Sequence, residues 1–226
     1  MLIFGDNLQV LKTLLKMKEE GKLKNADGTK GVRLIYIDPP FATKQEFMAK
    51  NGEKAYQDKI IGAQFLEWLR RRLILLRELL TDDGSIYVHL DWKMGHYVKV
   101  LMDEIFGQEN FLNEVIWFYK GTTNSPDMFA RKHDVIYLYV KKKGLHLFNA
   151  DDVRLPYKDL SAYKKDIDGR WYKQWTKERK YYPPQKLVNG EWVLLGKYRY
   201  DVWDLSLIHI SEPTRPRLIS YAVFCL

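Results

Sequence analysis

A single cysteine, Cys225, stands among 226 residues, so no internal disulfide can form, and no CxxC or Cys/His cluster offers metal-ligand spacing. A reducing, cytoplasmic setting without a metal site is expected. Long apolar runs are missing too: no window reaches the roughly 18 apolar residues of a membrane span. The opening MLIFGDNL lacks the basic and then apolar segments of a signal peptide. A soluble, unsecreted protein with no membrane partner is expected, and neither internal repeats nor long low-complexity runs occur. What is present is a hydrophobic fraction of 46% with 14% aromatics, enough for one sizeable core in a chain near the upper end of the single-domain range. One domain plus an insert is the expected organisation. The formal charge of +8 and pI near 9.3 suit a polyanionic partner and equally suit a solvated basic surface. Charge alone does not decide between them.

Along the chain, strand and helix periodicities alternate. Leu2 to Phe4 read as a short strand, Gly5-Asp6-Asn7 as a tight turn, and Leu8, Leu11, Leu14 and Leu15 recur at helical spacing until Gly21. After the turn-rich KLKNADGTKG, the run Val32-Arg33-Leu34-Ile35-Tyr36-Ile37 predicts a buried central strand ending at Asp38-Pro39-Pro40. A polar stretch from Ala42 to Lys59 precedes an amphipathic helix marked by Phe65, Leu66, Leu69, Leu73, Leu76, Leu79 and Leu80, closed by the turn Thr81-Asp82-Asp83-Gly84. Arg70, Arg71 and Arg72 on that helix cannot all point one way and read as a solvated face. A strand from Ser85 to Leu90, a helix from about Met94 to Phe106, and strands over Glu114–Tyr119 and Asp134–Val140 follow. This alternation predicts a largely parallel α/β sheet with both faces covered. Residues 150–203 are dense in Tyr, Trp, Lys and Arg, and Asn189-Gly190 carries a hairpin signal. A separate small module is expected there.

The sharpest chemical feature is Asp38-Pro39-Pro40-Phe41 directly after a buried strand, because ligands of open α/β sheets sit beyond the carboxyl ends of the strands. Methylating an aromatic amine requires an acceptor for its protons, since the nitrogen lone pair is delocalised into the ring until hydrogen bonds localise it. A carboxylate serves, and two prolines hold a rigid, extended backbone whose carbonyl is free to accept a second hydrogen. Phe41 offers a face for stacking a base swung out of a duplex. Taken alone, the tetrapeptide is equally an ordinary strand-ending turn with Asp38 as a cap and Phe41 as core. Asp6 and Asn7 either cap the first helix or face a ligand. His89 and Asp91 alternate with apolar neighbours at a strand end and point to one side, either lining a pocket beside Asp38 or sitting at the surface. His133-Asp134 either face that pocket or form a turn. Lys173, Lys177, Arg179 and Lys180, interleaved with aromatics, are candidates for gripping DNA phosphates while Trp or Tyr stack on bases. The alternative is a β-rich packing unit whose aromatics form its own core.

The segments GDNLQVL, LIYIDPPFATKQEF and FLEWLRRRLILLRELLTDDGSIYVHLDWKMGHYVKVLMDEIFG closely resemble the amino-terminal part of the β-class amino-methyltransferases of DNA, which include site-specific adenine methyltransferases and the modification subunits of type III restriction systems. The resemblance covers roughly residues 1–205. It implies a partial Rossmann-like, S-adenosylmethionine-dependent methyltransferase sheet of the α/β class over residues 1–148. A target-recognition region over 149–205 follows from it as a small β-rich, aromatic and basic insert. It assigns Asp38, Pro39, Pro40 and Phe41 to the target-base pocket, and Asp6, with Asn7 beside it, to the cofactor's adenine ring. The substrate it implies is double-stranded DNA, methylated at adenine N6, with a restriction subunit or a second copy as a possible partner. Cytosine N4 as target, or a non-catalytic DNA-binding fragment, are the alternatives.

Such enzymes need a glycine-rich F-x-G-x-G loop beside the cofactor's methionine end, and no G-x-G occurs in this chain. The expectation is therefore a fragment ending before that loop. The segment SLIHISEPTRPRLISYAVFCL does not continue the pattern and resembles a translated sequencing adapter, so residues 206–226 are expected to be a non-native tail.

Overall fold

The computed structural model describes residues 3–40, 62–119 and 126–197 in full, and the backbone of four short strands at 46–48, 54–57, 202–204 and 222–224. In chain order the elements are α1 (Asn7–Glu19), β1 (Val32–Ile37), β2 (Glu46–Met48), β3 (Lys54–Gln57), α2 (Ala63–Leu79), β4 (Leu80–Asp91), α3 (Gly95–Phe106), β5 (Phe111–Phe118), β6 (His133–Val140), β7 (Tyr163–Lys165), β8 (Trp171–Gln174), β9 (Lys180–Tyr181), β10 (Gln185–Val188), β11 (Glu191–Leu194), β12 (Val202–Asp204) and β13 (Ala222–Phe224). They form two compact units, residues 1–147 with 201–226, and residues 148–200.

The first unit is a six-stranded sheet in the order β12-β5-β6-β4-β1-β13. Ile35 and Ile37 of β1, with Ile86, Val88 and Leu90 of β4, point to one face and are wholly buried, as the period of two demands. Against that core pack Leu11 and Leu14 of α1, Phe65, Leu69, Leu73 and Leu76 of α2, and Val98, Leu101 and Met102 of α3. Their spacing of three and four makes an apolar stripe on each helix. The other face carries Tyr36, Tyr87, His89 and Trp117, which stay partly exposed.

Several expectations are corrected. The sheet is mixed: β1 runs parallel to β4 and β13, and β12 to β5, but β6 is antiparallel to both β4 and β5. Parallel neighbours need a crossover, and the described part of the connection between β5 and β6 contains no helix. Thr81-Gly84 is no closing turn but the irregular start of β4, where the register to β1 jumps from Val32↔Leu80 to Leu34↔Ser85. Ile3 and Phe4 form no strand, and Phe4 is fully exposed; β12 and β13 occupy the sheet's two edges. The polar stretch after Ala42 holds the antiparallel pair β2-β3. Arg72 is no part of a solvated face: it is buried, with its guanidinium 3.8 Å from the Trp68 ring centroid. Arg70 and Arg71 do lie outside, paired with Glu104 and Glu67.

Helix α3 begins where β4 ends. Asp91 accepts from the backbone N–H groups of Lys93 (3.1 Å) and Met94 (2.9 Å), fixing the turn that leads from β4 into the helix. Gly95 lets the first turn lie directly on β6, since a Cβ there would come within 2.7 Å of Val135 Cγ2 and 3.2 Å of the Tyr137 hydroxyl. Alanine normally favours a helix over glycine by up to about 1 kcal/mol, but overpacking against a buried β-branched side chain costs about 1–3 kcal/mol. Gly95→Ala is therefore expected to lower stability on balance, read as a fall in the denaturant midpoint at unchanged slope.

The second unit pairs a three-stranded sheet, β7-β8-β9, with the hairpin β10-β11. Asn189 and Gly190 both take positive φ, 49° and 82°, as a two-residue hairpin turn of the primed type requires. Gln185 clamps the two pieces, accepting from the Trp171 N–H at 2.7 Å and donating to the Trp171 carbonyl at 2.9 Å. The Trp171 indole N–H donates to the Trp192 carbonyl at 2.9 Å. Among the described residues no helix is long and apolar enough to cross a membrane, and no group of three or more His, Cys, Asp or Glu is placed to hold a metal ion.

Candidate active site

The carboxyl ends of the parallel strands β1 and β4 lie side by side, with Ile37 paired to Val88. The next residues are therefore neighbours: Asp38 leaves β1 beside His89 of β4. Pro39 is buried and Pro40 partly so, which anchors the turn, while the Asp38 side chain is 51% exposed. The turn thus presents a carboxylate outward from a fixed backbone. Phe41 lies outside the described residues.

His89 is the centre of the cluster. Its ring stacks on Trp117 with centroids 5.4 Å apart and planes 9° from parallel. Its Nδ1 lies 3.1 Å from the Tyr36 hydroxyl and 3.9 Å from Asp38 Oδ2, and its Nε2 lies 3.4 Å from Asp134 Oδ2. Burial pushes the Asp38 carboxyl above the usual carboxylate range; His89 opposes this and the negative charge of Asp134 adds to it. Burial, helped by Asp38 and Asp134, pushes the Tyr36 phenol up to about 12, and burial with the charges of Asp134 and Asp91 raises Tyr119, which also bonds to Asp134. Asp38, Asp91 and Asp134, with His89, Tyr36 and Tyr119, thus share one face of the sheet.

The raised Asp38 has a consequence for stability. A carboxylate whose folded pKa exceeds its unfolded value is held at a cost when ionised, and that cost disappears as pH falls through the folded value. Solvent on the exposed half of the side chain limits the effect. Asp38→Asn is expected to raise the melting temperature at pH 7, with the gap over the parent closing as the pH is lowered through the Asp38 titration. A lower melting temperature at pH 7 would show that the carboxylate is a stabilising partner instead.

The other candidates fall in different places. Asp6 is the N-cap of α1, accepting from the Gln9 N–H at 3.1 Å, and Asn7 Oδ1 accepts from Arg72 Nε at 2.7 Å, tying α1 to α2. Asp91 lies on the same side of β4 as His89, but one carboxylate oxygen is spent on the start of α3. Tyr36 and Trp117 carried no flag in the sequence. For Tyr36 a signal existed, since it lies two residues before Asp38 and so on the same face; Trp117 reaches the site only through the pairing of β5 with β6.

In the second unit Lys173, Lys177, Arg179 and Lys180 are all exposed. Lys180 Nζ sits 4.4 Å from the Tyr172 ring centroid. The loop from Trp175 to Arg179 is closed by the Trp175 N–H donating to the Arg179 carbonyl at 2.9 Å and carries Trp175 at 75% exposure. A cleft of about 510 Å³ is lined by Tyr163, Lys173, Gln174, Trp175 and Tyr181. Trp175 and Tyr181 are exposed and meet edge to face with ring centroids 6.0 Å apart, whereas Trp171 is partly buried within the unit.

A carboxylate on a proline-stiffened turn, backed by histidine and tyrosine, thus stands at the carboxyl ends of two parallel inner strands of an α/β sheet. The family model described as DNA methylase matches residues 32–217, and the chain belongs to that family. It is 46% identical over 115 residues to the type II methyltransferase M.EcaI of Enterobacter cloacae, a match covering 50% of this chain and 25% of that protein. It is 30% identical over 194 residues to the EcoPI Mod subunit, a type III restriction-modification enzyme of Escherichia phage P1, covering 74% of this chain and 28% of that one. The chain thus spans about a quarter of the length of these relatives. Among solved structures, the putative DNA modification methylase TTHA0409 of Thermus thermophilus in complex with S-adenosyl-L-methionine aligns at a TM-score of 0.42 and 18% identity, covering 67% of this chain and 61% of that one.

Proposed function

We propose that this chain is the target-base part of a site-specific DNA methyltransferase acting on N6 of adenine, with S-adenosylmethionine as methyl donor. The observation that carries the reading is Asp38, an outward carboxylate on the Asp38-Pro39-Pro40 turn at the end of β1. An adenine in duplex DNA must leave the stack to reach such a site. Asp38 then accepts one hydrogen of its amine, the Pro39 carbonyl accepts the other, and Phe41 stacks on the ring. These bonds draw the nitrogen lone pair out of conjugation, so orientation and electrostatics do the work without a covalent intermediate.

S-adenosylmethionine supplies an electrophilic methyl group on a sulfonium. Its adenosine end would be held in the cleft of about 500 Å³ that Leu8, Ala63, Gln64 and Trp68 line with Glu67, Arg71 and Arg72, an apolar wall with polar groups that suits a nucleoside. The exposed Lys173, Lys177, Arg179 and Lys180 suit the phosphates of double-stranded DNA. A cytoplasmic enzyme follows, with a restriction subunit or a second copy as its protein partner.

The test is transfer of a radiolabelled methyl group to duplex DNA by the protein encoded in the complete native gene, followed by nucleoside analysis. N6-methyladenine is the expected product. N4-methylcytosine would move the target to cytosine, and DNA binding without any transfer would leave a DNA-binding module.

A further inference from the structure

Resting on the adenine-N6 reading above, the geometry points to His89 as the outlet for the proton that methylation releases: Asp38 passes it to Nδ1 of His89, which Asp134 holds in place through Nε2. As the amine attacks, a nitrogen–carbon bond forms and the donor's sulfur–carbon bond breaks, its electron pair staying on sulfur. The nitrogen is left with one proton too many. That proton goes to the Asp38 carboxylate, whose burial already favours the protonated form. A base stacked over the turn shields Asp38 from bulk water, so the proton must leave inward, and His89 is the group behind it, 3.9 Å away.

The resting tautomer follows from the neighbours. A carboxylate only accepts, so the nitrogen facing Asp134 at 3.4 Å carries the hydrogen. Neutral imidazole has one such hydrogen, so Nδ1 accepts from the Tyr36 hydroxyl at 3.1 Å, protonated at neutral pH, and that hydroxyl turns its hydrogen off the lone pair when Nδ1 takes the proton from Asp38. Trp117 fixes the ring plane by stacking. The arrangement is an acid, a histidine and an orienting acid in line, the logic by which a base is held in one tautomer and its charged form stabilised. Contacts of 3.4 and 3.9 Å are lengths that a site shortens once substrate is seated. Among the described residues, the titratable groups near His89 include Tyr36 and Asp38 at the end of β1, Tyr87 and Asp91 on its own strand, Asp134 from β6, and Tyr119, which bonds to Asp134.

Two measurements test the relay. In this chain, imidazole ¹⁵N shifts should show His89 as the Nε2–H tautomer, and Asp134→Ala should weaken that preference, because it removes the acceptor that Nε2–H faces. An Nδ1–H tautomer overturns the proposal. In the protein from the complete native gene, single-turnover methylation by His89→Gln should slow about 10- to 100-fold with DNA and cofactor affinities unchanged. The parent rate should fall as the pH is lowered, since only neutral imidazole takes the proton, and the variant should lose that limb. His89→Asn serves as the second variant, with a thermal melt as the check on folding. An unchanged rate and pH profile overturns the relay alone; a parent protein that methylates no adenine overturns the relay together with the reading on which it rests.

Discussion

Asp38→Ala, in the protein encoded by the complete native gene, is expected to lower methyl transfer to adenine by about a hundredfold or more while leaving DNA and cofactor affinities near those of the parent. The carboxylate's proposed work is confined to the reacting amine, so its loss acts on the barrier and not on ground-state binding. Removing one oriented acceptor of this kind costs about 3 kcal/mol or more, which is the hundredfold. Folding should survive the change: the side chain is half in solvent, and Pro39 and Pro40 hold the turn without it. Asp38→Asn sharpens the test, since it keeps the size and one acceptor oxygen but drops the charge. The expected variant is crippled yet at least as stable as the parent. Near-normal adenine methylation by Asp38→Ala would return the tetrapeptide to an ordinary strand-ending turn.

The loss of activity joined to a gain of stability is what a carboxylate held against its preference implies. Asp38 and Asp134 flank His89 on a partly desolvated face, an arrangement that costs stability and is of the kind found at working sites. The same pairing explains why part of the site was legible in the sequence and part was not. The apolar run before Asp38 marked a central strand, and alternation along β4 put His89 and Asp91 on one side; both are local rules. That Asp91 spends an oxygen on the turn into α3 follows from how β4 meets the helix. That Asp134 faces the site rather than forming a turn, and that Trp117 joins it, follow from the long-range registers Asp91↔Asp134 and Trp117↔Asp134, and Tyr36 reaches His89 through the pairing of β1 with β4. Hydrophobic period carries no register between distant strands. Nor does it carry strand direction, so the antiparallel β6 read as one more strand of a parallel sheet. The pair β2-β3 lies in a stretch too polar to show a buried face, although Asn51-Gly52 stood between its strands as a turn signal.

The second large effect is expected in the aromatic, basic unit. Replacing Lys173, Lys177, Arg179 and Lys180 together by Ala should weaken duplex DNA binding and flatten its dependence on salt. Each phosphate neutralised by a Lys or Arg releases counterions and adds about 0.9 to the slope of log K against log salt. If all four side chains meet phosphates, the slope falls by roughly 3.5, and at low salt the affinity drops by several powers of ten. The four cations are exposed on the strands and loop of one small sheet, so their removal should leave the fold intact. The clamp of Gln185 on Trp171 and the turn at Asn189-Gly190 involve none of them. Trp175→Ala provides the contrast. An exposed aromatic that stacks on a base loses affinity without altering the salt slope, because stacking releases no counterions. Fluorescence anisotropy with a labelled duplex at several salt concentrations reads both quantities. A slope that stays at the parent value in the fourfold variant would assign the basic residues to a solvated surface and move the DNA contact elsewhere in the chain.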